Sequence, residues 1–190
     1  AVISHATAGR TGEIGVRRAL GASPGDLAAQ VNLGRLSAVR MDWFLRHGGE
    51  AASTLAAGES ILARVLTQDP HQRDALQYLG ELRTVAARWR ARQGLARRLD
   101  FEAGEQALRK ALEISPESQE TLLELVRHHL ARAEWERATT QDPSSSLASG
   151  RAALDRHALE EGADPDGEDV EDAVDAVGVD DGAGGARAAD

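Results

Sequence analysis

Six histidines, 31 carboxylates and no cysteine set the chemical vocabulary of this 190-residue chain. Without cysteine there is no thiolate nucleophile, no disulfide framework and no sulfur-ligated zinc or iron–sulfur centre. His128 and His129 are adjacent, so on a helix they diverge and cannot share a metal. Glu124 and His128 stand four apart and do share a face, but a third ligand is missing, and a solvated helix surface is expected there. Asp164, Asp166 and Glu168 begin like a calcium loop, yet Asp169 stands where the turn needs glycine, so only diffuse cation attraction follows. His71-Gln72-Arg73-Asp74 and Asp100-Phe101-Glu102 look like scraps of a phosphoryl-transfer centre without its glycine loop. A Gly-x-Ser-x-Gly elbow and a phosphate loop ending in Gly-Lys-Ser/Thr are both lacking. No catalytic residue, metal or cofactor is assigned, and the chain reads as a non-enzyme.

Charge supplies the more specific signal. Arg83, Arg88, Arg90, Arg92, Arg97 and Arg98 fall within sixteen residues with no acid between them. From residue 162 to 190 there are ten acids and one base, which leaves 21 acids balanced by 21 bases in the rest of the chain. The whole net charge of −9 therefore belongs to the tail, and a neutral body gives no case for nucleic acid. The arginines would suit an acidic peptide, or the chain's own tail held near them by its tether. The tail's Gly, Ala and Asp offer too little apolar burial to repay ordering, so residues 162–190 are expected to be disordered.

What positions these groups is a repeat. Trp43, Trp89 and Trp135 are 46 residues apart, and the same shift superposes Pro24, Pro70 and Pro116, then Leu33, Leu79 and Leu125, then Gly58, Gly104 and Gly150. Leu62, Leu108 and Leu154 follow in the same register. Such columns mark a stack of supersecondary units. Each unit reads as two helices. Helix A starts after the proline and carries a stripe such as Leu76, Leu79, Leu82, Ala86 and Trp89, with the tryptophan expected in the core. It ends near Gly48, Gly94 and the 139–145 loop. Helix B is expected to be N-capped by Thr54, Asp100 and Ser146 and to run to about Thr67, Glu113 and Glu160. Its buried face is Ile61, Leu62, Val65 and Leu66 in the first unit and Leu108, Ala111 and Leu112 in the second. The glycines inside helix B imply close approach of helix A. Aromatics are only 3% of the chain, which suits packed helices better than a sheet. The expected fold is all-α, with residues 1–23 leading into units at 24–69, 70–115 and 116–161.

These columns resemble the tetratricopeptide repeat, W-x2-L-G-x2-Y, then A-x3-F, then P. The second unit carries Leu76-x2-Leu79-Gly80, then Gly104-x3-Leu108-x2-Ala111-x4-Pro116. Ser37, Arg83 and His129 stand where that family prefers Tyr, and the unit is longer by twelve residues. With its A-x-W-E-x-A-x-x-x-D-P stretch at Ala133 to Pro143, the long unit resembles repeats found behind some bacterial serine/threonine kinases. The resemblance implies a right-handed α-α superhelix that binds a protein or peptide. Its groove positions would be Asn32, Arg35, Gln77, Tyr78, Glu81, Glu124 and Arg127, a set of mixed charge.

A second resemblance lies ahead of the repeats. Arg10 to Asp26, RTGEIGVRRALGASPGD, is similar to the cytoplasmic loop signature of FtsX/MacB-type ABC-transporter permeases. That family continues into a membrane span, whereas here Leu27 onward meets Arg35, Arg40, Asp42 and Arg46. No stretch has the roughly 18 apolar residues a span requires. A cytoplasmic adaptor or regulatory segment is expected, with a permease fragment or the detached repeat region of a kinase as alternatives.

Overall fold

The computed structural model describes residues 26–49 and 51–160, which form six helices and, among the described residues, no strand. These are α1 (Leu27–His47), α2 (Ala52–Gln68), α3 (Arg73–Arg92), α4 (Arg98–Ile114), α5 (Gln119–Ala138) and α6 (Ser144–Glu160). Their starts recur every 46 residues, as the sequence columns do. Sequence neighbours pair as α1 with α2, α3 with α4 and α5 with α6. Each odd helix also packs on the next odd helix, and each even helix on the odd helix that follows it.

The odd helices open on side-chain caps two residues beyond each repeat proline. Asp26, Gln72 and Ser118 accept from the backbone N–H groups of Ala29, Ala75 and Thr121 at 3.2, 2.8 and 3.4 Å. Each satisfies one of the free amides of a first turn. The prolines therefore set the turn ahead of the helix and not its first residue. Thr54, Asp100 and Ser146 are not caps either: α2, α4 and α6 begin two residues earlier, which places this column at the third helical position. From there the side chain reaches back to the partner helix. Asp100 Oδ1 accepts from Arg90 at 2.6 Å and Ser146 Oγ donates to Glu136 at 2.7 Å, so the column ties the start of one helix to the last turns of the other. Asp100 also accepts from the Arg97 N–H at 2.8 Å, closing the first turn of α4.

One residue past α1, and two past α3 and α5, the chain turns left-handed. Gly48, Gly94 and Thr140 have φ of 78°, 69° and 59°. Glycine adopts this conformation freely, whereas a β-branched residue pays for it with a close Cβ–carbonyl contact. Thr140→Gly is expected to raise stability by roughly 0.5–1 kcal/mol, read from a thermal melt. A lower midpoint would mean that the hydrogen bond from Thr140 Oγ1 to the Thr139 carbonyl outweighs the strain.

The apolar stripe of α3 faces inward through Leu76, Leu79, Leu82 and Ala86. Ile61, Leu62 and Val65 of α2, and Leu108, Ala111 and Leu112 of α4, are buried as expected. Close approach accounts for the helical glycines. A Cβ on Gly58 would lie 2.7 Å from Ser37 Cβ and 2.8 Å from Leu82 Cδ2, and one on Gly80 would lie 2.5 Å from Leu108 Cγ. The tryptophans depart from expectation: Trp43 is 52% exposed, and Trp89 and Trp135 are half-buried against the core. The volume expected of them is supplied by smaller neighbours, with Met41 and Leu45 in α1 and Ala86 and Ala87 in α3 all buried.

Candidate functional site

Three helices that are not neighbours in sequence present one polar surface. Asn32, Tyr78 and Glu124 form one column of the repeat and Arg35, Glu81 and Arg127 the next, one residue of each from α1, α3 and α5. Packing of α1 on α3 and of α3 on α5 brings these columns together. The Arg35 guanidinium lies over the Tyr78 ring, 5.8 Å from its centroid, an attraction of the cation for the ring's electron-rich face. Glu124 forms an ion pair with Arg127. Glu81 sits between Arg35 and Arg127 in its column and makes no hydrogen bond or ion pair with a described residue.

The electrostatics of Glu81 follow from that position. Burial and the neighbouring Glu124 carboxylate push its pKa up to about 7, against the pull of Arg127 and Arg35, and Asp42 adds to the rise. Burial also raises Glu124, with Arg127 opposing and Asp42 and Glu120 reinforcing. Tyr78 is raised as well, mainly by burial. Desolvated carboxylates close together favour the neutral form. A cation delivered between Glu81 and Glu124 would favour the ionised form of Glu81. Asp42 and Glu120, which shape this field, were not among the expected groove residues. Glu120 precedes and Asp42 follows the chosen columns on the helical stripe, so the repeat register was the signal that could have found them.

Gln77 does not belong to this surface. It is buried between α3 and α5, where its Oε1 accepts from Thr121 Oγ1 at 2.8 Å. Asn32 and Arg35 are exposed, as a binding surface requires, and so is Arg127.

The arginine run is dispersed by the fold. Arg83 pairs with Glu59 at 3.1 Å and donates to the Ala103 carbonyl, Arg90 pairs with Asp100, Arg98 pairs with Glu102 at 2.7 Å, and Arg92 donates to the Leu45 carbonyl at the end of α1. Arg97 lies near Asp100 at 4.0 Å, and Arg88 makes no ion pair with a described residue. Arg83 and Arg90 line a cavity of about 170 Å³ with Leu55, Glu59, Leu99 and Asp100. The acids absent from the run itself thus come from neighbouring turns and helices. The acidic tail expected to meet these arginines lies outside the described residues.

His128 and His129 are buried, not solvated. Their columns contain Leu82 and Arg83, so the register already placed His128 on the inward stripe. His128 Nδ1 is 2.8 Å from Thr84 Oγ1, which also donates to the Gly80 carbonyl, and its Nε2 has no partner among the described residues. Burial, aided by His129, lowers the His128 pKa to about 4. Beside the pair runs a chain of charges in which Arg132 bridges Glu105 at 3.3 Å and Glu136 at 2.9 Å. Among the described residues no cluster of three metal-ligating side chains forms, and no helix is long and apolar enough to cross a membrane.

Comparison with protein-family models finds no match for the chain, and comparison with curated proteins and with solved structures finds none either. The residues themselves must carry the functional reading.

Proposed function

We propose that the chain is a non-enzymatic protein-interaction module, a tetratricopeptide-like α-α superhelix of 46-residue units. Its ligand is a peptide that sets a lysine or arginine side chain between Glu81 and Glu124. What supports this reading is the state of Glu81, a desolvated carboxylate beside a second one, held near neutrality and without a partner of its own. Arg35 and Arg127 flank the pair and would orient backbone carbonyls or acidic residues on either side of the basic one. Tyr78 offers a ring face for the stem of the bound side chain. The recurrence of caps, left-handed turns and helix boundaries at one period supports the repeat architecture.

The test is fluorescence anisotropy with a labelled oligoarginine peptide and an oligoglutamate peptide of equal length. Binding of the first is expected, and Glu81→Gln should weaken it roughly tenfold, the loss of one charge-assisted hydrogen bond of about 1.4 kcal/mol. Because the Glu81 carboxyl ionises near pH 7, affinity should rise between pH 6 and 8 in the parent and stay level in the variant. Preference for the acidic peptide, or indifference to Glu81→Gln, would overturn the assignment.

A further inference from the structure

The odd helices do not all bury the same face. Leu36 and Val39 of α1 are 51% and 54% exposed, whereas 46 residues on Leu82 and Val85 are buried, and 92 residues on so are His128 and Ala131. Trp43 is half exposed where Trp89 and Trp135 pack against core clusters. The cover over α3 and α5 is in each case the even helix of the preceding pair. A Cβ on Gly58 of α2 would lie 2.8 Å from Leu82 Cδ2, and one on Gly104 of α4 would lie 3.3 Å from the His128 ring. Trp135 lies 5.2 Å from Phe101 of α4.

Helix α6 carries the matching surface, and among the described residues no odd helix other than α5 lies on it. Leu147 is 48% exposed in the column of Leu55 and Phe101, which are buried, and Leu154 is half-buried in the column of the buried Leu62 and Leu108. Gly58 is hemmed by Ser37 on one side and Leu82 on the other, and Gly104 by Thr84 and His128. A Cβ on Gly150 meets only His129 of its own pair among the described residues. Leu123 of α5, in the column of the buried Val31 and Gln77, is also only half-buried. The exposed faces are two halves of an interface that the chain builds twice within itself, as α3 on α1 and α2 and as α5 on α3 and α4. One column disagrees in charge. Arg151 of α6 stands in the column of Glu59 and Glu105, and Arg40 of α1 in that of Arg132, which pairs with Glu105 at 3.3 Å.

We propose that the chain associates head to tail with a second copy of itself, α1 of one copy lying on α5 and α6 of the next. Leu36 enters the hollow beside Gly150 of the neighbour, as Leu82 enters that beside Gly58 within the chain. Trp43 meets Leu147 of the neighbour, as Trp135 meets Phe101. The contact joins two different faces, so it builds an open or closed array and not a two-fold dimer. Burial of apolar surface drives it, and the encounter of Arg40 with Arg151 opposes it. Association should therefore strengthen as salt screens that repulsion. The inference rests on the packing columns and not on the ligand assigned to Glu81 and Glu124, so either can fail without the other.

The test is sedimentation equilibrium of the full chain between roughly 10 µM and 1 mM, the range in which small interfaces dissociate. The average mass is expected to climb with concentration past that of a dimer. Leu36→Glu and Leu147→Glu each place a charge at an exposed position of one face, so thermal melts should show both variants folded. Each alone should stay monomeric. Mixed in equal amounts they should form a one-to-one dimer, because each keeps the face that the other lacks. Arg151→Glu, which restores the acid of its column, should tighten association about fivefold at low salt, as an exposed ion pair replaces a repulsion. A parent that is monomeric throughout overturns the proposal. So does a mass that levels at the dimer, association that persists in either single variant, or a mixture of the two that remains monomeric.

Discussion

Phe101→Ala is expected to cost about 3–5 kcal/mol, the loss seen when a fully buried aromatic leaves a cavity behind. Phe101 is wholly inaccessible on α4 and joins Ala87 of α3 to Ala131 of α5. Its ring lies 5.2 Å from Trp135 and 6.1 Å from His128, so its removal strips contacts from two helix pairs at once. The other buried residues of the cluster, Ala87 and Ala131, are too short to fill the space. Phe101→Leu, which installs the residue found in this column at 55 and 147, should cost only about 1 kcal/mol. Trp89→Ala should fall between the two, because that ring is half-buried and forfeits less area. Urea unfolding followed by far-UV circular dichroism gives all three. A Phe101→Ala loss below about 1 kcal/mol would show that the second and third helix pairs do not fold as one body.

Acidification is expected to destabilise the chain through His128. Its folded-state pKa is depressed to about 4 while the unfolded chain titrates near 6.5. Above pH 6.5 both states are neutral at this residue and the site contributes in full. As pH falls from 6.5 towards 4 the unfolded state takes up a proton that the folded state refuses, and about 3 kcal/mol is lost at the lower end. His129 is lowered in the same direction by burial, and faces Glu105, Arg109, Arg132 and Glu136. Glu105 is held below its ordinary range by its hydrogen bond to Arg109, against burial, so its stabilisation fades only at more acid pH. Glu81 acts oppositely: its pKa is raised to about 7, so between pH 7 and 4.5 the folded state protonates first and gains stability as pH falls. The two effects offset each other in the parent. Glu81→Gln should therefore expose the acid loss, and His128→Leu, the residue buried at 82, should remove the His128 part of it and leave the Glu81 gain as pH falls. Urea midpoints at pH 7.5 and 5 decide the matter, and parallel profiles for all three proteins would refute the assignment.

Most of the fold was legible because the repeat makes every column speak three times. Prolines, glycines and leucines at one period announced six helices, their inward faces at Leu62, Val65, Leu79 and Leu108, and the close approach at Gly58. A single column pattern also misled. Thr54, Asp100 and Ser146 look like caps because short oxygen-bearing side chains suit that role. At Asp100 and Ser146 the same oxygens serve equally well to hold a neighbouring helix one turn later, and only the packed pair reveals which. The real caps Asp26, Gln72 and Ser118 share no residue type, so no column drew attention to them.

The candidate site was less visible for a different reason. Residue type and helical spacing placed Arg35, Tyr78, Glu81, Glu124 and Arg127 on helix A, and the repeat implied that they line up. Neither could say which would be buried. Gln77 turns into the α3–α5 contact to meet Thr121, while Glu81, four residues further on, is left without a partner between two arginines that do not reach it. The six arginines read as one patch in the sequence because charge was counted along the chain. In space Arg83, Arg90 and Arg98 find their acceptors in Glu59, Asp100 and Glu102, which lie a helix or a turn away. Local periodicity is a property of the chain and can be read from it. Desolvation and pairing depend on what a second helix brings within a few ångströms, and only the tertiary structure decides them.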